Sequence, residues 1–173
     1  MIEAALNSTQ LNWEEMHLNR GEYLITPGKT EKHIYFIKDG ALRAFILSEE
    51  EEFTIRFAYK DSIITALPSY FTAMPTELFI QAIRKSTLLR TTKILFDEYI
   101  NNDFKLLKGY QLMLEELISS FLAREIDLLT QSPSMRIKRL IERSPQVFQE
   151  IPHKYRAAYL RMSPETFSRL LKS

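Results

Sequence analysis

The chain has 173 residues, which is enough for one domain of ordinary size or two small ones with a buried core. Its composition, 45% hydrophobic and 26% charged, is that of a globular protein, and the absence of cysteine excludes disulfides, thiolate zinc sites and cysteine-held iron–sulfur clusters. The formal net charge is +1, but residues 1–132 carry 14 Lys/Arg against 19 Asp/Glu, a net of −5, whereas residues 133–173 carry 9 against 3, a net of +6. A basic end on an acidic body predicts a nucleic-acid-binding module, with chance clustering of solvated side chains as the open alternative.

The N-terminal segment shows no targeting pattern, because no basic region is followed by an apolar core. No stretch of the sequence approaches the roughly 20 apolar residues that a membrane helix needs. We therefore expect a cytoplasmic protein with no membrane partner.

Residues 20–96 have the pattern of a β domain. "HIYFI" (33–37) and "ALRAFIL" (41–47) flank Asp39 and Gly40, and Asp-Gly between apolar runs predicts a hairpin. "FTIRFAY" (53–59) alternates apolar and polar residues, as a half-buried strand does. Further strands are predicted at 22–26, 62–66, 77–83 and 87–93. Many short strands at close spacing indicate a barrel or jelly roll.

A long helix is predicted next, starting after Asp97 or Asp103 as the N-cap and running to Gln131 without proline. It has two apolar stripes, which is more than a single neighbour requires. One stripe can pack on the β domain and the other on a second copy of the helix, while an internal core helix is the alternative. The candidate dimer contact is the first stripe, Leu107, Tyr110, Leu114, Leu117, Phe121 and Leu128; the second is Leu106, Met113, Ile118, Leu122, Ile126 and Leu129, and the sequence alone does not decide which of the two joins the copies.

Short helices are predicted in the basic end, at about 134–143, 145–149, 152–160 and 164–172, and Ser-Pro pairs begin three of these segments. The last two have the spacing of a helix-turn-helix: a small residue at the crossing, a tight turn four residues later and an apolar residue six further on. These are Ala157, Arg161 and Phe167, with Ser163 as the cap of the second helix. Arg161 is expected either to be left-handed or to shift the turn.

The exposed face of the last helix carries Glu165, Ser168 and Arg169 as candidate base contacts. Arginine can bond guanine O6 and N7, and glutamate can accept from the cytosine amino group. An ordinary i, i+4 ion pair between Glu165 and Arg169 is the alternative. Candidate contacts to the DNA backbone are Lys154, Tyr155, Arg156, Arg161, Ser163 and Lys172.

Two motifs, "GEYLITPGKTEKHIYFIKDGALRAF" (21–45) and "IPHKYRAAYLRMSPETFSRLLK" (151–172), resemble the Crp/Fnr family of bacterial transcription regulators, particularly its short Bacteroidetes members. Gly21, Gly28 and Gly40 stand where that family has glycine in its roll turns. The resemblance implies an α+β fold: a double-stranded β-helix (jelly-roll) domain at 1–96, a dimerisation helix at 97–131 and a helix-turn-helix domain at 132–173. It also implies a homodimer on two-fold-related double-stranded DNA, and it allows RNA polymerase as a further partner.

The chain departs from this family at the phosphate cassette. Cyclic-nucleotide-binding members have a Gly-Glu pair and, further on, an Arg-Ser or Arg-Thr pair. The corresponding positions here fall near Thr65 and Ala66 and at Thr76 and Glu77, so no arginine neutralises the phosphate and Glu77 would repel it. Cyclic nucleotide binding is therefore not expected. Any other effector, if one exists, would use a pocket near Arg43, Arg56, Thr76 and Glu77.

The predicted function is a DNA-binding transcription regulator without catalytic activity, cofactor or metal. One alternative is a β-roll module that binds a small ligand and has no specific DNA site. The other is a cupin-like metal enzyme, which has weak support because His17, His33 and His153 are widely separated in sequence.

Overall fold

The computed structural model describes residues 1–49 and 51–172, which form a mixed α+β structure. The first part contains α1 Ile2–Leu6, a 3₁₀ turn Thr9–Leu11, β1 Glu14–Leu18, β2 Tyr23–Ile25, β3 His33–Asp39, β4 Ala41–Ser48, β5 Glu51–Tyr59, β6 Ile63–Ile64, α2 Leu67–Thr72, β7 Phe79–Ala82 and β8 Ser86–Thr92. The second part is helical and contains α3 Lys93–Asn101, α4 Phe104–Leu129, α5 Pro133–Arg143, α6 Gln146–Glu150, α7 His153–Tyr159 and α8 Pro164–Lys172. Within the described chain, no helix is both long enough and apolar enough to span a bilayer.

The strands form two four-stranded antiparallel sheets, ordered β1-β8-β3-β6 and β2-β7-β4-β5. Inward side chains of both sheets fill the space between them with one apolar core, in which Ile37, Leu42, Ile80 and Leu88 are fully buried. The predicted β domain built of many short strands is confirmed, and its interior is packed with its own side chains.

The predicted hairpin at Asp39 and Gly40 is wrong, because β3 and β4 lie in different sheets. β3 pairs with β6 and β8, whereas β4 pairs with β5 and β7. Gly40 has φ +98° at this sheet-to-sheet corner, and a Cβ there would lie 2.2 Å from Ser86 Oγ and 2.5 Å from Ser86 Cα. The Asp-Gly pair thus marks a tight corner that only glycine fits, with its strands paired to distant segments.

Helix α4 begins where Asp103 caps it, since the Asp103 carboxylate accepts a hydrogen bond of 2.6 Å from Lys105 N. The inner side of α4 faces α3 and the β domain: Tyr110 packs edge-on against Phe96 of α3, and Arg124 donates to Thr54 O of β5 at 2.7 Å. The outer side leaves apolar side chains in solvent, among them Ile118, Leu122 and Leu129 at 59%, 61% and 72% exposure.

Helices α5 to α8 pack on the outer face of the sheet β2-β7-β4-β5 rather than standing apart from it. One buried cluster joins Ala41, Phe57 and Ile83 of the β domain to side chains from these helices, Ile137, Leu140, Val147, Ile151, Ala157, Leu160 and Phe167. At the start of this helical unit the buried Asp127 carboxylate accepts from Arg139 Nε at 2.7 Å and from Arg143 Nη1 at 2.5 Å, which ties α4 to α5.

Candidate nucleic-acid interface

Helices α7 and α8 form a pair that crosses at small and apolar residues. Ala157, Leu160 and Phe167 are fully buried, and the Phe167 ring packs against His153 and Phe148 at centroid distances of 4.9 and 6.3 Å. The positions singled out for the crossing and for the lock of the second helix therefore lie in one core. This packing fixes how α8 is presented to solvent.

The turn between the two helices is closed by backbone hydrogen bonds. Met162 N donates to Ala157 O at 3.0 Å and Arg161 N donates to Ala158 O at 3.1 Å. This pattern requires a left-handed residue just after the helix, and Arg161 has φ +54°. Of the two outcomes expected for Arg161, the structure has the left-handed one.

The Arg161 side chain contacts the β domain. Its guanidinium carbon lies 4.7 Å from the centroid of the Phe53 ring in β5. Such a cation–π contact stabilises a partly exposed pair by about 0.5–1 kcal/mol. It offsets part of the cost of a left-handed, non-glycine residue, which is about 1–2 kcal/mol.

Helix α8 starts at the predicted cap. Ser163 Oγ accepts from Thr166 N at 3.2 Å. Glu165, Arg169 and Lys172 are exposed, while Ser168 is half-buried between them. The Glu165 carboxylate accepts a hydrogen bond from the Glu165 backbone amide and a weaker one from the Ser163 hydroxyl. These hydrogen bonds lower the pKa of Glu165, so this carboxylate stays ionised at neutral pH. Among the described ion pairs there is none between Glu165 and Arg169, so the ordinary pair on one helix face is not formed.

The other predicted backbone contacts have neighbours within the chain. Lys154 is exposed, with its Nζ 4.7 Å from the Tyr155 ring. The Tyr155 ring also meets the Arg43 guanidinium at 4.8 Å. Arg156 stacks on Phe148 at 4.7 Å, and burial lowers the pKa of its guanidinium. Lys154 is thus the most accessible of these three side chains.

The +6 charge of residues 133–173 is only partly available to a partner. Arg139 and Arg143 are neutralised by Asp127, an acid that lies outside this segment. Arg136 donates to Thr130 O at 2.6 Å and to Leu160 O at 3.3 Å. Sequence reasoning missed these internal roles, because Asp127 stands outside both apolar stripes of α4 and nothing near it in sequence marks it as buried.

The four residues of the predicted effector pocket do not converge. Arg43, 5% exposed, donates to Gln81 Oε1 at 2.8 Å and pairs with Glu52 at 2.6 Å on the outer side of its sheet. The Thr76 hydroxyl accepts from Leu78 N at 3.0 Å, and Glu77 is exposed. Arg56 stands apart from them and lines a cavity of about 330 Å³ between α4 and the β domain.

The predicted dimer stripe is divided by the structure. Tyr110, Leu114 and Leu117 are half-buried and line the same cavity, so they face the chain's own β domain. Leu128 is half-buried, whereas Leu107 and Phe121 are exposed at 43% and 36%. The open apolar face of α4 belongs mainly to the second stripe, at Ile118, Leu122, Ile126 and Leu129.

The histidines remain apart in space as well as in sequence. Across residues 1–49 and 51–172, no three His, Asp or Glu side chains are grouped as a metal site requires. His17 contacts Thr87 at 3.2 Å, and His153 packs on Phe167. The cupin-like alternative therefore finds no ligand set in this part of the chain.

Comparison with known proteins matches residues 15–103 to the cyclic nucleotide-binding domain. Among solved structures, a CooA variant from Carboxydothermus hydrogenoformans has a TM-score of 0.75 at 20% identity over 97% of this chain and 81% of its own. FixK2 from Bradyrhizobium japonicum has a TM-score of 0.75 at 14% identity, over 92% of this chain and 83% of its own. A transcriptional regulator of the crp/fnr family from Eubacterium rectale has a TM-score of 0.70 at 17% identity, over 99% of this chain and 84% of its own. No curated protein matches the chain in sequence.

Proposed function

Since this chain belongs to the cyclic nucleotide-binding domain family, we propose that it is a homodimeric DNA-binding transcription regulator without catalytic activity. The structural neighbours support this proposal because they match most of the chain, including its helical end, and one of them is named a transcriptional regulator of the crp/fnr family. The division proposed is a β-roll at 1–96, a dimer helix at 97–131 and a helix-turn-helix at 132–173.

The exposed face of α8 is the observation that carries the proposal. Glu165 and Arg169 stand one helical turn apart on the second helix of a pair held by a common core, and they form no ion pair with each other. A helix that presents exposed polar groups on a rigid support fits the major groove, where bases are read by such groups.

In the proposed complex, Arg169 bonds a guanine and Glu165 accepts from a cytosine, while Ser168 contributes a shorter polar contact. Lys172, Lys154 and Ser163 contact phosphates, which position the helix without specifying sequence. The N-terminus of α8 adds partial positive charge near the phosphates. Tyr155, Arg156 and Arg161 are proposed as weaker contributors, because each already has a neighbour within the chain.

We propose that two copies join along the open side of α4. Ile118, Leu122, Ile126 and Leu129 form a stripe that nothing in the described chain covers. Exposed apolar stripes of this kind mark helix–helix interfaces. With the dimer contact placed here, Tyr110, Leu114 and Leu117 remain packed towards the β domain of their own chain. Two copies related by a two-fold axis would bind a two-fold-related DNA site.

Binding of a cyclic nucleotide is not part of the proposal. Thr76 is paired through its backbone to Gly28 and Lys29, and its hydroxyl is used by Leu78. The neighbouring Glu77 carries the wrong charge for a phosphate. The space between the sheets is filled by apolar side chains.

The test is selection of bound sequences from a random DNA library, followed by titration of the selected site. Recovery of a palindromic site is expected. Arg169→Ala should cost about 1–3 kcal/mol and relax the preference at one base pair, whereas Lys172→Ala should weaken all sequences about equally and reduce the salt dependence. Arg20→Ala removes an exposed cation of the β domain and is the matched control. No selected site, or an unchanged preference in Arg169→Ala, would contradict the proposed readout.

A further inference from the structure

The open side of α4 carries a polar layer between two apolar stretches. Gln111 and Glu115 are exposed in this layer. Apolar side chains flank them on the same side of the helix: Phe104 and Leu107, at 80% and 43% exposure, towards its start, and Ile118, Leu122, Ile126 and Leu129 towards its end. These positions are three or four residues apart throughout, so they follow one side of the helix. A partner that covers the stripe must therefore also satisfy the polar groups at its middle.

The Gln111 side chain uses only part of its hydrogen-bonding capacity within its own chain. Its Nε2 donates to Glu115 Oε1 at 2.7 Å, and its Oε1 accepts from Lys108 Nζ at 3.1 Å. These partners fix the orientation of the amide, because a carboxylate only accepts and an ammonium only donates. A primary amide has two N–H groups and two acceptor lone pairs. In the part of the chain that the structure describes, Gln111 therefore keeps one N–H and one lone pair for a partner.

One donor and one acceptor are what a carboxamide needs in order to pair with a second carboxamide. Two such groups related by a two-fold axis form two reciprocal N–H···O hydrogen bonds. An ionised carboxylate or an ammonium cannot pair with its own copy in this way, because the first lacks a donor and the second lacks an acceptor. The remaining capacity of Gln111 thus matches the same residue of a second copy, while Lys108 and Glu115 carry opposite charges that balance within each copy.

Only a parallel alignment lets two copies meet at Gln111 and cover the apolar positions as well. In that alignment each residue of the stripe lies opposite its own counterpart. In an antiparallel alignment centred on Gln111, Leu122 and Leu129 would lie opposite positions 100 and 93, which precede the start of α4. The apolar C-terminal half of the stripe would then stay open to water.

We propose that Gln111 fixes the register of the dimer by pairing with the same residue of a second copy in parallel alignment. This role rests on the dimer of the proposed function, and it adds the residue that decides how the two copies meet. A polar pair in an apolar interface costs stability but specifies alignment, because a shifted register leaves the amide against apolar side chains with its N–H and lone pair unsatisfied. Lys108 and Glu115 are positioning residues that hold the amide in the required orientation.

Because the chain has no cysteine, introduced cysteines report the register directly. Leu122→Cys and Leu129→Cys, both on the stripe, should each form a disulfide with their own copy on mild oxidation, since the bond requires Cα atoms within about 7 Å. Glu116→Cys, exposed on another side of α4, should not. When the Leu122→Cys chain is mixed with a size-tagged Leu129→Cys chain, the mixed disulfide should be a minor product, because it requires a shifted register. A dominant mixed disulfide, or a dimer without the two same-residue disulfides, would overturn the proposal.

Variants of Gln111 separate register from affinity. Gln111→Leu should tighten the dimer by about tenfold in sedimentation equilibrium, and it should raise the mixed disulfide to a share comparable with the same-residue products. Gln111→Glu should weaken the dimer by about tenfold or more, because two carboxylates would then meet. Gln149→Leu, the same change at an exposed position of α6, is the control and should alter neither quantity. A weaker dimer in Gln111→Leu, or a mixed disulfide that stays minor in it, would refute the role of Gln111.

The outcomes distinguish this role from the proposed function. Far-UV circular dichroism checks that each variant keeps its helix content, which is expected because Gln111 is exposed in the single chain. A chain that stays monomeric at every concentration would contradict the dimer and the register together. A dimer with the wrong pattern of disulfides would overturn the register alone, and selection of bound DNA sequences tests the DNA-binding role without reference to either.

Discussion

Arg161 gives a sharp test of the structure because its backbone and its side chain have opposite effects on stability. Its φ of +54° is costly for any residue with a Cβ, by about 1–2 kcal/mol, whereas its contact with Phe53 at 4.7 Å returns about 0.5–1 kcal/mol. Arg161→Ala keeps the backbone cost and loses the contact. Arg161→Gly loses the contact but removes the backbone cost.

We therefore expect Arg161→Ala to destabilise the protein by about 0.5–1 kcal/mol and Arg161→Gly to leave it nearly unchanged. The two variants should differ by about 1 kcal/mol, or by about 2–4 °C in Tm for a chain of this length. Urea unfolding followed by far-UV circular dichroism measures the difference. Equal stability of the alanine and glycine variants would refute a left-handed residue at this position.

The side-chain part of the argument has its own measurement. A double-mutant cycle with Arg161→Ala and Phe53→Leu should give a coupling energy of about 0.5–1 kcal/mol, because each single change removes the same contact. The control is a second double-mutant cycle that combines Arg161→Ala with a substitution of Lys60, an exposed cation elsewhere on the β domain. The effects of these two changes on stability should be additive. A coupling of zero between Arg161 and Phe53 would show that the turn does not rest on β5.

Three further changes have expected outcomes that follow from the packing. Gly40→Ala should destabilise by about 2–4 kcal/mol because its Cβ would meet the Ser86 backbone, whereas Gly21→Ala, which has φ +91° and open space, should cost only about 1–2 kcal/mol; thermal unfolding compares them. Asp127→Asn should lower the free energy of unfolding by about 2–4 kcal/mol, because it leaves two partly buried arginines without their carboxylate. An unchanged midpoint of urea unfolding would contradict this prediction. Leu122→Glu should convert the proposed dimer to a monomer in light scattering without a loss of helix, whereas Gln149→Glu, the same charge on α6, should leave the proposed dimer intact.

Local signals predicted the helical half of the chain well. Asp103, Ser132 and Ser163 act as caps where the sequence places them, because a cap depends on residues only two or three positions away. The cap predicted at Ser144 is wrong, since α6 begins after Pro145 with no side-chain cap. The sheet partners were beyond such reasoning. Asp39 and Gly40 have the composition of a hairpin turn, but whether two strands pair depends on β7 and β8, more than 35 residues later.

The charge of the basic end could be counted from the sequence, but its distribution could not. Arg139, Arg143 and Arg169 contribute equally to a net charge, and nothing near them in sequence distinguishes them. The structure assigns the first two to Asp127 and leaves Arg169 exposed. The positive electrostatic field that the helical end offers to a partner is therefore weaker, and more localised around α8, than the net charge of +6 implies.

The side chains that dock the helical end on the β domain show why individual phosphate contacts were hard to predict. Tyr155 meets Arg43 and Tyr159 meets Phe57 across more than 100 residues of sequence. These contacts bury the side of α7 that a helical wheel alone leaves undecided between solvent, core and DNA. Because α7 docks on the β domain, α8 lies on the other side of the α7–α8 pair, with Glu165 and Arg169 in solvent.

For Arg161 this docking creates a competition that bears on the proposed function. The contact with Phe53 holds the Arg161 guanidinium against the β domain, so a DNA contact that draws the side chain away from β5 would first release the ring. The cost of that release, about 0.5–1 kcal/mol, is smaller than the about 1.5–3 kcal/mol of a charged hydrogen bond. Phe53→Leu removes the competing contact without touching the interface, so it should leave DNA affinity unchanged or raise it by up to about fivefold if Arg161 binds DNA. The gain should be absent when Arg161→Ala is added, and a gain that persists in the double variant would show that Phe53 acts through another residue.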